Sequence, residues 1–196
     1  MQGLFDFIVK PKGKTYNNTK KIGDTNLIIN SNISDHKYVN RNAIVVKIPK
    51  NFDTPINVGD EVIIHHNVFR RWHNIKGIEK QSRSYFKDNL YFVRLDQIYL
   101  YKKNDWKAMD GFTFVKPIEE TNDFYFFQKE NSNVGIIKYT DGTFKKDELI
   151  GFHPKVNHEF VIDNELLYKI PNKFIEIKYE YKGNEKAYNP SWAQSS

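Results

Sequence analysis

The sequence predicts an all-β chain of two tandem small β-barrels, and three observations carry that expectation. Isoleucine, valine, tyrosine and phenylalanine dominate the apolar residues, with 15 Phe and 12 Tyr, whereas alanine and leucine are scarce; such side chains suit a pleated, half-buried surface. Short apolar runs alternate with Gly, Pro, Asn and Asp turn signals, and no long stretch follows the 3.6-residue period of a helix. The series of strands also starts again about halfway along the chain, and a duplication on that scale governs how everything else is read.

In chain order, Leu4 to Val9 is expected as the first strand, ended by Pro11. Ala43 to Ile48 is the second, stopped by Pro49. Val58-Gly59-Asp60 forms a turn into a third, Glu61 to His66. Leu90 to Val93 and Gln97 to Tyr101 make a closing pair around a bend at Leu95-Asp96. Polar connectors occupy Lys12 to Asn26, Asn30 to Asn42 and Arg70 to Asn89.

The second pass repeats the first. Asp6 to Pro11 and Phe112 to Pro117 both end in Val-Lys-Pro, and Val134 to Tyr139 echoes Ala43 to Ile48. Asp147 to Phe152 echoes Asp60 to His65, including the leading Asp-Glu, and Leu166 to Ile170 with Phe174 to Tyr179 echoes the closing pair. The units therefore run over 1–104 and 110–180, followed by a tail at 181–196 that its small polar residues and Pro190 predict to be flexible or docked on a partner. Barrel closure would remove the sheet edges that short strands otherwise expose.

Composition narrows the function. Apolar residues make up 39% of 196, enough for a packed core and against global disorder. No run of apolar residues is long enough for a transmembrane helix, and Met1 to Lys10 has no signal-peptide pattern, so a cytoplasmic protein is expected. With no cysteine, disulfides and thiolate metal sites are excluded. The net charge of +6 rests almost wholly on lysine, as biased codon usage alone would produce, so it is weak support for a nucleic-acid partner.

At this point the first unit resembles the GroES-like co-chaperonins. Asp6 to Lys10 resembles the family's opening strand, and Arg41 to Val46 its next strand after a long loop. Val58-Gly59-Asp60-Glu61-Val62-Ile63-Ile64 resembles the family's Val-Gly-Asp strand, and Leu90 to Leu100 its closing strand–bend–strand. The second unit matches in its later half and departs after its first strand, where Glu119 to Asn133 is short and carries the aromatic run Phe124 to Phe127. The resemblance implies a homo-oligomeric ring that caps a chaperonin chamber, with no catalysis and no cofactor. It also implies a mobile loop, about residues 12–42, whose apolar tripeptide docks on the chaperonin. The matching segment runs from Gly23 to Asn30 and contains Leu27, Ile28 and Ile29. Read without the family, the same triplet is either an ordinary strand or an apolar contact inside a solvated loop. One loop would bind weakly and several on a ring strongly. The divergent, AT-rich, duplicated sequence suggests a viral origin, and a structural subunit of a virus particle is the alternative use of such a fold.

His65, His66 and His73 invite a metal ion, but adjacent strand residues face opposite ways, so none is expected. The Asp-Glu pairs at 60–61 and 147–148 fall at turns into strands and read as structural. No phosphate-loop or nucleophile-elbow motif is present, which argues against an enzyme. Arg70, Arg71 and Trp72, with Lys76 and Arg83, interleave cations and aromatics in a stretch that is an insertion relative to the family. They are candidates for a nucleic-acid or subunit interface.

Overall fold

The computed structural model describes residues 3–28, 30–33, 35–119, 130–180, 183 and 185–194. The chain is all-β: every helical segment among these residues is a single 3₁₀ turn. It divides into two compact units, Met1–Trp106 and Lys107–Ser196.

The first unit contains β1 (Phe7–Pro11), β2 (Thr19–Ile22), β3 (Thr25–Ile28), β4 (Asn42–Lys47), β5 (Glu61–Ile64), β6 (Trp72–His73), β7 (Glu79–Lys80), β8 (Tyr85–Lys87), β9 (Leu90–Val93) and β10 (Ile98–Lys102), and the short β11 (Trp106–Ala108) begins at its last residue. Its main sheet has the order β11-β10-β5-β4-β1-β9-β8, while β2-β3 and β6-β7 are separate hairpins. The second unit contains β12 (Phe112–Glu119), β13 (Glu130–Thr140), β14 (Leu149–Phe152), β15 (His158–Ile162), β16 (Glu165–Pro171) and β17 (Ile175–Tyr179), ordered β15-β16-β12-β13-β14-β17.

From β8 to β10 and from β15 to β17 the two sheets follow the same path, and the register agrees as well as the order. Val9 pairs with Val45 and Tyr91 in the first sheet, as Val115 pairs with Ile137 and Tyr168 in the second. The bulge between Ile8 and Val9 recurs between Phe114 and Val115. A 3₁₀ turn, Leu95–Gln97 or Asn172–Phe174, joins the last two strands in each case.

The ladders also adjust the sequence alignment. Gly59 N–H donates to the Val45 carbonyl at 2.8 Å, and Asp147 N–H donates to that of Ile137 at 2.9 Å. Asp147 is therefore the counterpart of Gly59, and Glu148 that of Asp60. The matching Asp-Glu text is out of step by one residue.

Three further expectations change. Pro117 lies within β12 instead of ending the strand, whereas Pro11 is the last residue of β1; at both, the second neighbouring strand has already stopped, so the missing N–H interrupts no doubly paired ladder. Among the described residues no ladder joins the two end strands of either sheet. The ladders of the described residues therefore do not show the closed barrels expected from the sequence. The supposedly flexible tail, over residues 185–194, is built into the second unit. Ala187 bridges Ile118, Tyr188 N–H donates to the Pro117 carbonyl at 2.8 Å, and Ala193 is fully buried beside Val115 and Ile170.

Cores follow from the strand patterns. In β4 the alternation buries Ala43 and Val45 and leaves Ile44 and Val46 half-buried. The central strand β1 buries Phe7, Ile8 and Val9 together, because both of its faces are covered.

Candidate functional site

The long polar segment between β1 and β4 folds into an arm. Ile22 and Thr25 are the last pair of the β2–β3 ladder, leaving Gly23-Asp24 as a two-residue turn. Gly23 has φ 59°, a left-handed value that such turns demand and that glycine adopts without strain. Every residue of β3 is exposed, including Leu27 at 52% and Ile28 at 64%. The expected apolar contact residues thus sit on a strand, but on one that belongs to a projecting hairpin and not to the main sheet. Ile29 lies outside the described residues, as does the aromatic run Phe124 to Phe127.

The root of the arm is held by polar groups. The Asn40 amide, almost fully buried, donates to the carbonyls of Lys12 at 2.9 Å and Lys14 at 2.7 Å. Asn18 donates to the Asn30 carbonyl at 3.0 Å, and the Asn30 amide donates to Asp35 at 3.0 Å. Asn30, expected at the contact, is therefore spent on closing the root. Tyr16 is buried, bridges Val39 and donates its hydroxyl proton to the Ile33 carbonyl at 2.7 Å.

Tyr16 also ties the root of the arm to Arg71, one of the expected interface residues. Its hydroxyl accepts from the Arg71 N–H at 2.7 Å, and the Arg71 guanidinium lies 4.6 Å over its ring. Arg71 then pairs with Glu79 at 2.7 Å, tying the start of β6 to β7. The hairpin turns at Asn74, whose side chain accepts from the N–H groups of Lys76 and Ile78 at 3.0 and 2.9 Å. Trp72, Ile75 and Ile78 are exposed on it, Ile75 completely. Lys76 and Arg83 are exposed, whereas Arg70 is half-buried. The polar connector expected over Arg70 to Asn89 is thus a hairpin followed by β8, which turns into β9 through Asp88 and Asn89 at φ 49° and 59°. The same Asp-Asn pair turns β15 into β16 at Asp163-Asn164.

The histidines require a correction. β5 ends at Ile64 and the chain enters a 3₁₀ turn, so His65 and His66 do not alternate across a strand. Their rings stack with centroids 4.3 Å apart, and His36 lies 5.2 Å from His66. Burial, then the nearby His65, Arg41, His36 and Arg70, lower the His66 pKa to about 3. His73 sits apart, on β6. No group of three or more His, Asp or Glu among the described residues is arranged to hold a metal ion, and no helix of the described residues is long and apolar enough to cross a membrane. No protein family, no curated protein and no solved structure matches the chain.

Proposed function

We propose that the chain is a GroES-like co-chaperonin, a homo-oligomeric lid whose β2–β3 arm docks Leu27 and Ile28 into an apolar groove of a chaperonin ring. The observation that carries the reading is the placement of those two side chains. They are exposed at 52% and 64% on a mainly polar projecting hairpin whose root is fixed by Tyr16 and Asn40. Exposed apolar residues on such an element mark a contact surface, and a fixed root lowers the ordering cost of docking. The repeated strand order of the two units is consistent with tandem copies of one small domain. No catalytic step is assigned to the chain.

The test is the Leu27→Ala, Ile28→Ala double variant, mixed with a chaperonin and ATP and resolved by size-exclusion chromatography with light scattering. Each arm should lose about 1–3 kcal/mol of docking free energy, and multivalency on a ring multiplies that into loss of co-elution. Undiminished binding by the folded variant would remove the reading.

A second reading, a structural assembly subunit such as one from a virus particle, is favoured by a different observation. β17 is an end strand with Ile177 and Tyr179 exposed, and Trp72, Ile75 and Ile78 project from the β6–β7 hairpin. Open edges and apolar hairpins accept strands and side chains from neighbouring subunits. This reading predicts stable oligomers indifferent to chaperonin and nucleotide.

A further inference from the structure

The β6–β7 hairpin has two unlike faces. Trp72 pairs with Lys80 and His73 with Glu79, and the same spacing continues to Asn74, whose N–H donates to the Ile78 carbonyl at 3.0 Å. Alternate residues along a strand point to opposite sides, so Trp72, Ile78 and Lys80 share one face and Arg71, His73 and Glu79 the other. The second face is turned to the root of the arm: the Arg71 guanidinium pairs with Glu79 at 2.7 Å and lies 4.6 Å over the Tyr16 ring. The first face is open, with Trp72 48% and Ile78 52% exposed, and Ile75 at the tip is exposed in full.

The turn that carries Ile75 is closed on itself. Gly77 takes φ 72°, and its N–H donates to the Asn74 carbonyl at 2.9 Å. The Asn74 side chain accepts from the N–H groups of Lys76 and Ile78 at 3.0 and 2.9 Å. With these donors and that of Asn74 satisfied inside the turn, the tip can leave water without stranding them. Cations frame the apolar face. Residues 70–89 hold six Lys and Arg against two Asp and Glu, a net +4 where the whole chain has +6. Glu79 is already paired with Arg71, and Lys76, Lys80 and Arg83 are exposed.

The possible occupants differ in what they offer. A nucleic acid meets the cations but gives a fully exposed isoleucine at the tip nothing apolar to enter. Strand addition needs a free ladder, and the β6–β7 ladder is two residue pairs long. An anionic bilayer surface supplies both chemistries: headgroup phosphates for lysine and arginine, and the acyl boundary for the tryptophan and the isoleucines. Tryptophan and lysine suit that boundary, because each has an apolar body and a polar end.

We propose that the β6–β7 hairpin is a peripheral membrane contact that inserts Trp72, Ile75 and Ile78 into the surface of an anionic phospholipid bilayer, with Lys76, Lys80 and Arg83 at the headgroup phosphates. The contact lies in the interface and is reversible, as expected when a few side chains enter and no segment spans. The proposal does not rest on what the arm docks to.

The experiment is flotation of the full chain with vesicles of phosphatidylcholine alone or of equal parts phosphatidylcholine and phosphatidylglycerol. The chain should float with the anionic vesicles only, and less as sodium chloride is raised, because salt screens the surface potential. Ile75→Ser should weaken partitioning about tenfold by removing buried apolar area. The Lys76→Glu, Lys80→Glu double variant should weaken it by about tenfold or more. Leu27→Ala, Ile28→Ala should float as the wild type does, which separates this surface from the arm. Should a hairpin variant fail to fold, the lipid and salt dependence of the wild type still decides. No flotation, equal flotation with neutral vesicles, undiminished flotation of Ile75→Ser, or loss of flotation in the arm variant would each overturn the proposal. Binding of a single-stranded DNA oligonucleotide, read by fluorescence anisotropy, with no flotation would overturn it in favour of a nucleic acid.

Discussion

Tyr16 shows how one side chain can organise a unit whose core lies elsewhere. Its ring carries the Arg71 guanidinium, its hydroxyl donates to Ile33 and accepts from Arg71, and its backbone bridges Val39. The arm and the β6–β7 hairpin are held against the same residue, so neither position depends on apolar burial along its own strands. His66, a short distance along the chain from that hairpin, makes a different contribution. Burial first, and then the surrounding imidazoles and guanidiniums, hold its pKa near 3 against an ordinary value of 6.5. Between those values the unfolded chain takes up a proton that the folded chain refuses. The His66 contribution is therefore fully present above about pH 6.5 and is lost progressively as pH falls toward 3. Urea unfolding at a series of pH values should show this slope in the wild type, and His66→Phe should flatten it. An unchanged slope in that variant would mean that the ring is solvated.

At the scale of elements, the two units solve one turn in two ways. Gly59 at φ 93° and Asp147 at φ 65° occupy equivalent left-handed positions ahead of β5 and β14. Nothing lies within 4 Å of where a Gly59 Cβ would stand, so Gly59→Ala should cost only the conformational penalty, about 1 kcal/mol. Asp147→Gly should relieve strain in the second unit by a similar amount or less, offset by the looser unfolded chain. Denaturant titration of both variants checks the register directly, and equal effects of either sign would break the equivalence. The ion pairs at the next residue, Asp60 with Lys103 and Glu148 with Lys178, both at 2.5 Å, mark the same correspondence. Being exposed, they contribute little stability. In Glu148 the hydrogen bond from Lys178 holds the carboxyl below its ordinary range.

At the scale of the whole chain, each unit completes its sheet with different accessory segments. The first adds the arm and the β6–β7 hairpin. The second adds residues 185–194, where Asn189 accepts from Leu166 N–H at 3.0 Å and donates to the Asn164 carbonyl at 3.0 Å. Asn189→Ala should leave both groups short of a partner and destabilise the second unit by about 1–3 kcal/mol. Thermal or urea unfolding would detect that loss, and a variant as stable as wild type would show that the segment is dispensable. Neither accessory has a clear sequence signal. The arm's strands carry only Ile22, Leu27 and Ile28 as apolar residues and show no sustained alternation, so Gly23-Asp24 is the main hairpin cue. The closing segment has the small polar residues of a loose tail, and its role depends on Ala193 finding a space between strands.

The sequence by itself determined the all-β class and located the longer main-sheet strands in both passes, because β-branched and aromatic runs and the Gly and Asp turns between them act locally. It also singled out Leu27 and Ile28 as apolar residues in a polar stretch, since that contrast needs no tertiary contact. Tertiary structure decided the rest. The one-residue offset between Gly59 and Asp147 is set by ladders and by the bulges at Val9 and Val115, which outweigh a matching pair of letters. The meeting of His36 with His65, His66 and Arg70 joins residues far apart in the chain, and only the folded root of the arm makes them neighbours.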